Sequence, residues 1–319
     1  MRKSLRLTAL ASIAVLMVAA CGAGATPTPA PTAVPTEAAP VTAAPTAAPA
    51  TPTPAPTYDP NGLLGKVVAA GKIRISTDPN YAPFSFYDTA TGKYTGFDSA
   101  TAEETAKRLS AAVGKEIAIE WVTPGWDLIT AGSWGGRWDI SIGSMGITKG
   151  RAKVVDFVDP YFFDFGAVAV PTDSPVQALS ELAGKNICVG VASIYEQWLT
   201  GTLEIVDPNL QPVPPGLTIT SLTTENECVQ AIAAGRTFDA IAASVDVLTD
   251  AEKQGQPIRV LAGPPTTTTS VAFALDRSGP PTAAMLAVLN KIVGEMHADG
   301  TLKAISMKWL EKDVTSRPE

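Results

Sequence analysis

Few side chains in this sequence are equipped for chemistry, and their spacing excludes most catalytic mechanisms. His297 is the single histidine, and the three cysteines are Cys21, Cys188 and Cys228. That set is too small for a typical zinc site, so no metal is expected, and no cofactor either. The chain has no P-loop, no G-x-G-x-x-G, no C-x-x-C and no H-E-x-x-H pattern. Gly143-Ser144-Met145-Gly146 lacks the G-x-S-x-G spacing of a nucleophile elbow, and His297 lies in the helical run GEMHADG. No catalytic residue is assigned. What remains is recognition chemistry. Arg151 follows the turn Gly146–Gly150, and a guanidinium suits a carboxylate through two parallel charge-assisted hydrogen bonds. Ser193 stands before a helical stretch, where unpaired N–H groups face an anion.

The elements that must position these groups come from a chain of 319 residues, 45% hydrophobic and 17% charged, long enough for about two domains. Its net charge is -7, and 21 basic residues face 31 acidic ones once Arg2, Lys3 and Arg6 are set aside. No basic face is available to neutralise phosphates, which excludes a nucleic-acid partner.

Residues 1–20 have a basic start and an apolar stretch from Leu7 to Ala20, too short to span a bilayer, and predict a signal peptide. Val18-Ala19-Ala20-Cys21 resembles the lipobox of bacterial lipoproteins, which implies cleavage before Cys21 and a diacylglycerol on its thiol. Residues 22–57 collapse to Ala, Thr and Pro, with ten prolines and Glu37 as the only charge. Such a segment cannot bury enough apolar surface to offset ordering entropy, so 21–60 is expected to be a lipidated cysteine and a solvated tether. The chain would then work outside the cytoplasm, anchored to the cell membrane by lipid.

Beyond residue 61, strand and helix alternate. Lys72–Thr77 is a β-branched run, Asp98–Val113 carries Ala102, Ala106, Leu109 and Val113 on one face with Asp98 as N-cap, and Glu116–Val122 alternates like a strand. That is a βαβ unit and argues for parallel sheet. Further strands are expected at Asp139–Ser144, Ala167–Val170, Asn186–Ala192, Thr218–Leu222, Phe238–Ala243, Ile258–Leu261 and Val271–Leu275. Helices are expected at Ile194–Gly201, Thr224–Gly235, Val245–Gln254, Thr282–Ala298 and Leu302–Lys312. The class is α/β with two sheets, and ligand sites belong at the C-terminal ends of strands.

Four stretches together resemble the family-3 extracellular solute-binding proteins, the amino-acid-type receptors of ABC importers. They are IRISTDPNYAPFSFYD (73–88) with GKYTGFD (92–98), WDISIGSMGITKGRAKVVDFVDPYF (138–162), GVASIYEQWL (190–199) and HADGTLKAISMKWL (297–310). The resemblance implies a type II periplasmic-binding-protein-like clamp, each lobe a central sheet flanked by helices, with two crossing hinge strands. Lobe one would comprise 61–164 plus 267–319, and lobe two 165–266. The partners implied are a small polar carboxylate-bearing solute, an ABC permease and its ATPase, and the working form a monomer. Two other readings stay open: a pocket-acid enzyme of the same fold such as a dehydratase, with Asp78 or Asp246 as the acid, and a sensory receptor.

In similar proteins the arginine at the place of Arg151 holds the solute α-carboxylate. Gly143, Ser144 and Gly146 would offer backbone and hydroxyl groups beside it, and Ser193 with the Ile194 amide would do so from lobe two. Tyr81, Phe84, Trp126 and Tyr195 would line the walls. Asp78 either faces a solute side chain or caps the next turn. The departure is at Ser244, where such receptors usually place an aspartate for the solute ammonium. Either Asp246 replaces it, or neutral acceptors serve, or the solute has no ammonium. Cys188 and Cys228 form an even pair in an oxidising compartment and are expected to be joined, two buried thiols being the alternative.

Overall fold

The computed structural model describes residues 57–205 and 210–316. The expected signal peptide, the lipidated Cys21 and nearly all of the tether lie outside those residues. Helix α1 (Leu63–Ala70) ends at Gly71, in the left-handed conformation that closes helices, and leads into β1 (Lys72–Ser76). A small antiparallel sheet follows, β2 (Asn80–Tyr81), β3 (Ser85–Asp88) and β4 (Lys93–Thr95). Then come α2 (Phe97–Val113), β5 (Ala118–Val122), α3 (Trp126–Thr130), β6 (Ile140–Ser141) and β7 (Val155–Phe157). The ten-residue strand β8 (Phe162–Pro171) precedes β9 (Asn186–Gly190), α4 (Ile194–Leu199), β10 (Thr218–Leu222) and α5 (Glu225–Ala233). The chain continues through β11 (Ala240–Ser244), α6 (Val245–Lys253), β12 (Ile258–Val260), β13 (Thr268–Val271) and β14 (Ala274–Asp276). It finishes in α7 (Ala283–Ala298) and α8 (Thr301–Trp309).

Two lobes result. One is built on a sheet of order β5-β1-β6-β14-β7, parallel from β5 to β6, with β14 antiparallel to its neighbours. The other sheet runs β10-β9-β11-β8-β12 and is parallel from β10 to β11. Alternation decides what covers it. Ile187, Val189, Ala240 and Ala242 face Trp198 and Leu199 of α4, while Cys188, Ile241 and Ala243 face Cys228 and Leu248 of α5 and α6. A disulfide joins Cys188 to Cys228 and pins α5 to β9. In the first lobe Ile73, Ile75, Ile140 and Leu275 pack against Leu109 of α2 and against Met285, Leu289 and Met296 of α7. The last helices thus return to the first sheet.

Strand β8 belongs to both halves. Its first residues pair with β13 (Phe162 with Val271, Phe165 with Thr268), and its later ones with β11 and β12. The strand expected at Val271–Leu275 is in fact two. β13 pairs with β8, β14 pairs with β6 and β7, and the chain changes sheets between them through Ala272 N–H to Met145 O (3.1 Å). The strand expected over Asp139–Ser144 stops at Ser141, because the chain must turn into the cleft there. Asp98 is not an N-cap. Gly96 occupies that place at φ 114°, where a Cβ would lie 2.4 Å from the Phe84 carbonyl oxygen, and Asp98 is buried in the first turn.

Candidate functional site

Where the lobes meet lies an enclosed cavity of about 50 Å³. From the first lobe it is lined by Asp78 and Tyr81 beyond β1, Trp126 at the start of α3, and Gly143, Ser144, Gly146 and Arg151 beyond β6. From the second it is lined by Ser193, Ile194 and Tyr195 at the start of α4 and by Thr223, Thr224 and Glu225 at the start of α5. Asp164 of β8 and Val271 of β13 form its base. The lobes are closed on each other. Asn226 Nδ2 donates to Asn80 O (3.2 Å), Gln230 Nε2 to Asn80 Oδ1 (3.1 Å) and Lys149 N to Glu204 O (2.9 Å).

Arg151 dominates the electrostatics. Its side chain is buried, lies over Trp126 (5.3 Å from guanidinium carbon to ring centroid), and donates from Nη1 to Gly146 O (2.9 Å) and from Nη2 to Ala192 O (2.8 Å). No carboxylate among the described residues forms a salt bridge with it, and its Nε has no partner. Burial pulls its pKa down to about 10, so the guanidinium stays charged at neutral pH. A buried cation held only by carbonyls has its hydrogen bonds partly satisfied but its charge uncompensated, which favours an anion beside it. Gly146 admits this arrangement, since a Cβ there would meet Thr269 at 2.8 Å and Ile194 at 3.2 Å.

The other groups come at set positions. Ser193 and Thr224 cap α4 and α5, accepting from Glu196 N (3.1 Å) and Glu227 N (3.2 Å), which holds both helix starts at the cavity. Ser144 sits at φ 52°, and its hydroxyl donates to Asp98 Oδ2 (2.7 Å), while Tyr161 donates to Asp98 Oδ1 (2.6 Å). Burial raises the Asp98 carboxyl to about 6. Asp78 Oδ1 accepts the Asn80 amide (2.7 Å), the turn-capping bond, and the residue also lines the cavity. Burial pushes its pKa up.

Three of the expected residues lie elsewhere. Phe84 is wholly buried in a ring stack with Tyr81, Phe97 and Phe162, so it supports the wall without facing the cavity. Ser244 is buried at the start of α6, and Asp246 pairs with Lys312 at 2.8 Å, which compensates its charge outside the cavity. Asp246 therefore does not stand in for the expected aspartate. Asp164, not anticipated, lines the cavity from β8: its Oδ1 accepts from Ser244 Oγ (2.7 Å) and its Oδ2 from Tyr195 OH (2.5 Å). Burial first of all lifts its pKa to about 6. Glu225 was also missed. It is buried, its pKa is raised to about 7 by burial with Asp78 and Asp164 adding to the effect, and its carboxyl lies over Gly190, where a Cβ would be only 2.6 Å away. The available signals were a lone acid inside PYFFDFGAVAV and an acid directly after the capping threonine of α5.

A larger hollow of about 680 Å³ lies behind the hinge, against Phe165, Val168, Leu179, Pro212, Val245 and Leu261. Its lining is chiefly apolar, with Ser180, Gln211, Thr266 and Lys312 as its polar members.

Two sheets joined by paired strands, with a cavity between them holding an uncompensated guanidinium, define a solute-binding clamp. The chain belongs to the bacterial extracellular solute-binding proteins, family 3, whose model matches residues 73–312. It is 28% identical to the L-cystine-binding protein TcyJ of Escherichia coli over 261 residues, 81% of this chain and 90% of that one. Among solved structures it resembles an ancestral amino acid-binding protein, AncCDT-1, a precursor of cyclohexadienyl dehydratase. That likeness has TM-score 0.64 and 28% identity, over 77% of this chain and 99% of that one. It also resembles an ancestral arginine-binding protein bound to arginine (TM-score 0.63, 27% identity, 75% of this chain and 98% of that one).

Proposed function

We propose that this protein is the extracytoplasmic receptor of an ABC importer and that it captures an α-amino acid, releasing it unchanged to a permease. Arg151 takes the α-carboxylate through Nε and the Nη groups, with Ser144 and the Gly146 backbone beside it. Asp164 takes the α-ammonium, held by Tyr195 and Ser244. The observation that carries this reading is the presence, in one cavity, of a buried guanidinium and a buried carboxylate, neither of which forms a salt bridge among the described residues. The relatives support it, being binding proteins for amino acids or for cystine by their names.

Lobe one comprises 61–164 plus 267–319 and lobe two 165–266, hinged at β8 and β13. The full chain works as a monomer, exported by a signal peptide at 1–20 and anchored by lipid on Cys21. Among the described residues no helix is long and apolar enough to cross a membrane.

Calorimetric titration of the purified protein with a panel of amino acids tests the reading. Arg151→Ala is expected to weaken the best ligand by about 2–5 kcal/mol, since the carboxylate loses its donors while still leaving water. Unchanged affinity would remove Arg151 from the site.

A further inference from the structure

The cavity holds more acid than a simple zwitterion requires. Its one cationic lining residue is Arg151, and facing it are Asp78, Asp164 and Glu225. The three carboxyls arrive from three separate elements: the segment after β1, the hinge strand β8 and the first residue of α5. Only closure of the lobes gathers them.

On the reading above, an α-amino acid uses Arg151 for its carboxylate and Asp164 for its ammonium. Asp78 and Glu225 remain, one on each side of the cleft, near enough that the charge of Asp78 adds to the raised pKa of Glu225. Among the described residues no lysine or histidine lines the cavity to compensate them. Glu225 is moreover deliberately accommodated. The Thr224 cap and the Cys188–Cys228 disulfide fix the start of α5, and the bare Cα of Gly190 leaves the space that its carboxyl fills. A neutral or acidic side chain on the solute would leave two buried carboxyls without a counter-charge, which costs several kcal/mol or forces both to stay protonated.

We propose that the solute is a cationic α-amino acid, whose side-chain ammonium or guanidinium seats between Asp78 of lobe one and Glu225 of lobe two. The assignment rests on the Arg151 and Asp164 reading and adds the charge of the side chain to it. One positive group bridging acids from both lobes also ties solute charge to closure.

The test compares ligands of equal shape and different charge. Lysine and ornithine are titrated calorimetrically into the full chain beside 2-aminoheptanoic acid and norleucine respectively, which carry a methyl group where the ammonium nitrogen sits, and beside glutamate and cystine. The cationic member of each pair is expected to bind at least about 30-fold more tightly, the range for a buried charge pair. Glu225→Gln and, separately, Asp78→Asn should each erase most of that preference, by weakening the cationic ligand and strengthening its methyl-ended partner, which then buries one unpaired acid fewer; a single cooperative unfolding transition at or above the wild-type midpoint identifies the folded variant to score. Equal affinity within each pair, or a preference for glutamate or cystine, would overturn the charge assignment and leave the amino-acid reading standing. Failure of every amino acid to bind would overturn both.

Discussion

Replacing Glu225 with glutamine measures how dry the closed cavity is. The carboxyl of Glu225 is moved from its ordinary 4.5 to about 7, chiefly by burial. Between those values the unfolded chain has already lost a proton that the folded protein keeps. The native state therefore binds more protons, and stability falls as pH rises through the window. At about 1.4 kcal/mol for each pH unit, the displacement amounts to roughly 3 kcal/mol of destabilisation, absent below about pH 4.5 and complete above about pH 7. Glutamine has nearly the same shape and no charge. Glu225→Gln should match wild type near pH 4.5 and exceed it by up to about 3 kcal/mol near pH 8, in ligand-free protein. For a folded region of this size that is roughly 6–12 °C in unfolding midpoint. Scanning both proteins by calorimetry from pH 4.5 to 8 reads the difference directly. Asp98 and Asp164, raised to about 6, slope both curves in the same direction and cancel in the comparison to the extent that removing the Glu225 charge leaves them unshifted. A difference that does not change with pH would mean that the Glu225 carboxyl is solvated in the ligand-free protein, and the argument from a closed cavity would fail.

Two further outcomes bear on the counter-charge at the hinge. Asp164→Asn should weaken an α-amino acid by about 30-fold or more and scarcely affect its des-amino analogue, because only the ammonium loses a partner; equal losses in titrations of both ligands would place Asp164 outside the ammonium site. Asp246→Asn should leave affinity within about threefold of wild type and lower stability by about 1 kcal/mol or less, since its partner Lys312 is partly exposed; a large loss of affinity would restore Asp246 to the site.

How far the sequence foretold this arrangement varied with whether local pattern or long-range pairing decided each element. Short runs of small and apolar residues, NICVG and AIAAS, buried on both faces, were enough to find β9 and β11, and the face Ala102, Ala106, Leu109, Val113 was enough to find α2, because those patterns record burial in the residue order itself. The small sheet of β2, β3 and β4 escaped notice, its strands being only two to four residues long. The split of Val271–Leu275 escaped because nothing local says that the chain changes partners at Ala272. Of the site, the residues carried by the SIGSMGITKGR stretch and by GVASIYEQWL were legible, since both motifs place them at strand ends. At Ser244 three alternatives were open, and the structure places Asp246, the first of them, outside the cavity lining. Asp246 is two residues away in sequence, yet the helical turn begun by Ser244 carries it toward Lys312, from the far end of the chain.

The acid that takes the ammonium on the proposed reading comes instead from β8, eighty residues before Ser244, and that origin matters for how the clamp works. Asp164 lies where β8 pairs with β13 at Thr269, immediately before the strand joins β11 at Gly166. Its hydroxyl partners, Tyr195 and Ser244, both belong to elements of the second lobe, while Asp78 and Arg151 approach from the first. Closing the lobes therefore brings a hinge carboxylate and two lobe carboxyls into mutual range, with Arg151 in the same cavity lining. Like charges drawn together in a dry space raise one another's pKa or push apart. With a cationic amino acid between them the same approach becomes favourable, because each added positive group lets one acid ionise without cost from its neighbours. On the proposed assignment, solute charge and lobe closure are thus two readings of a single balance, set by carboxyls that no local sequence pattern brings together.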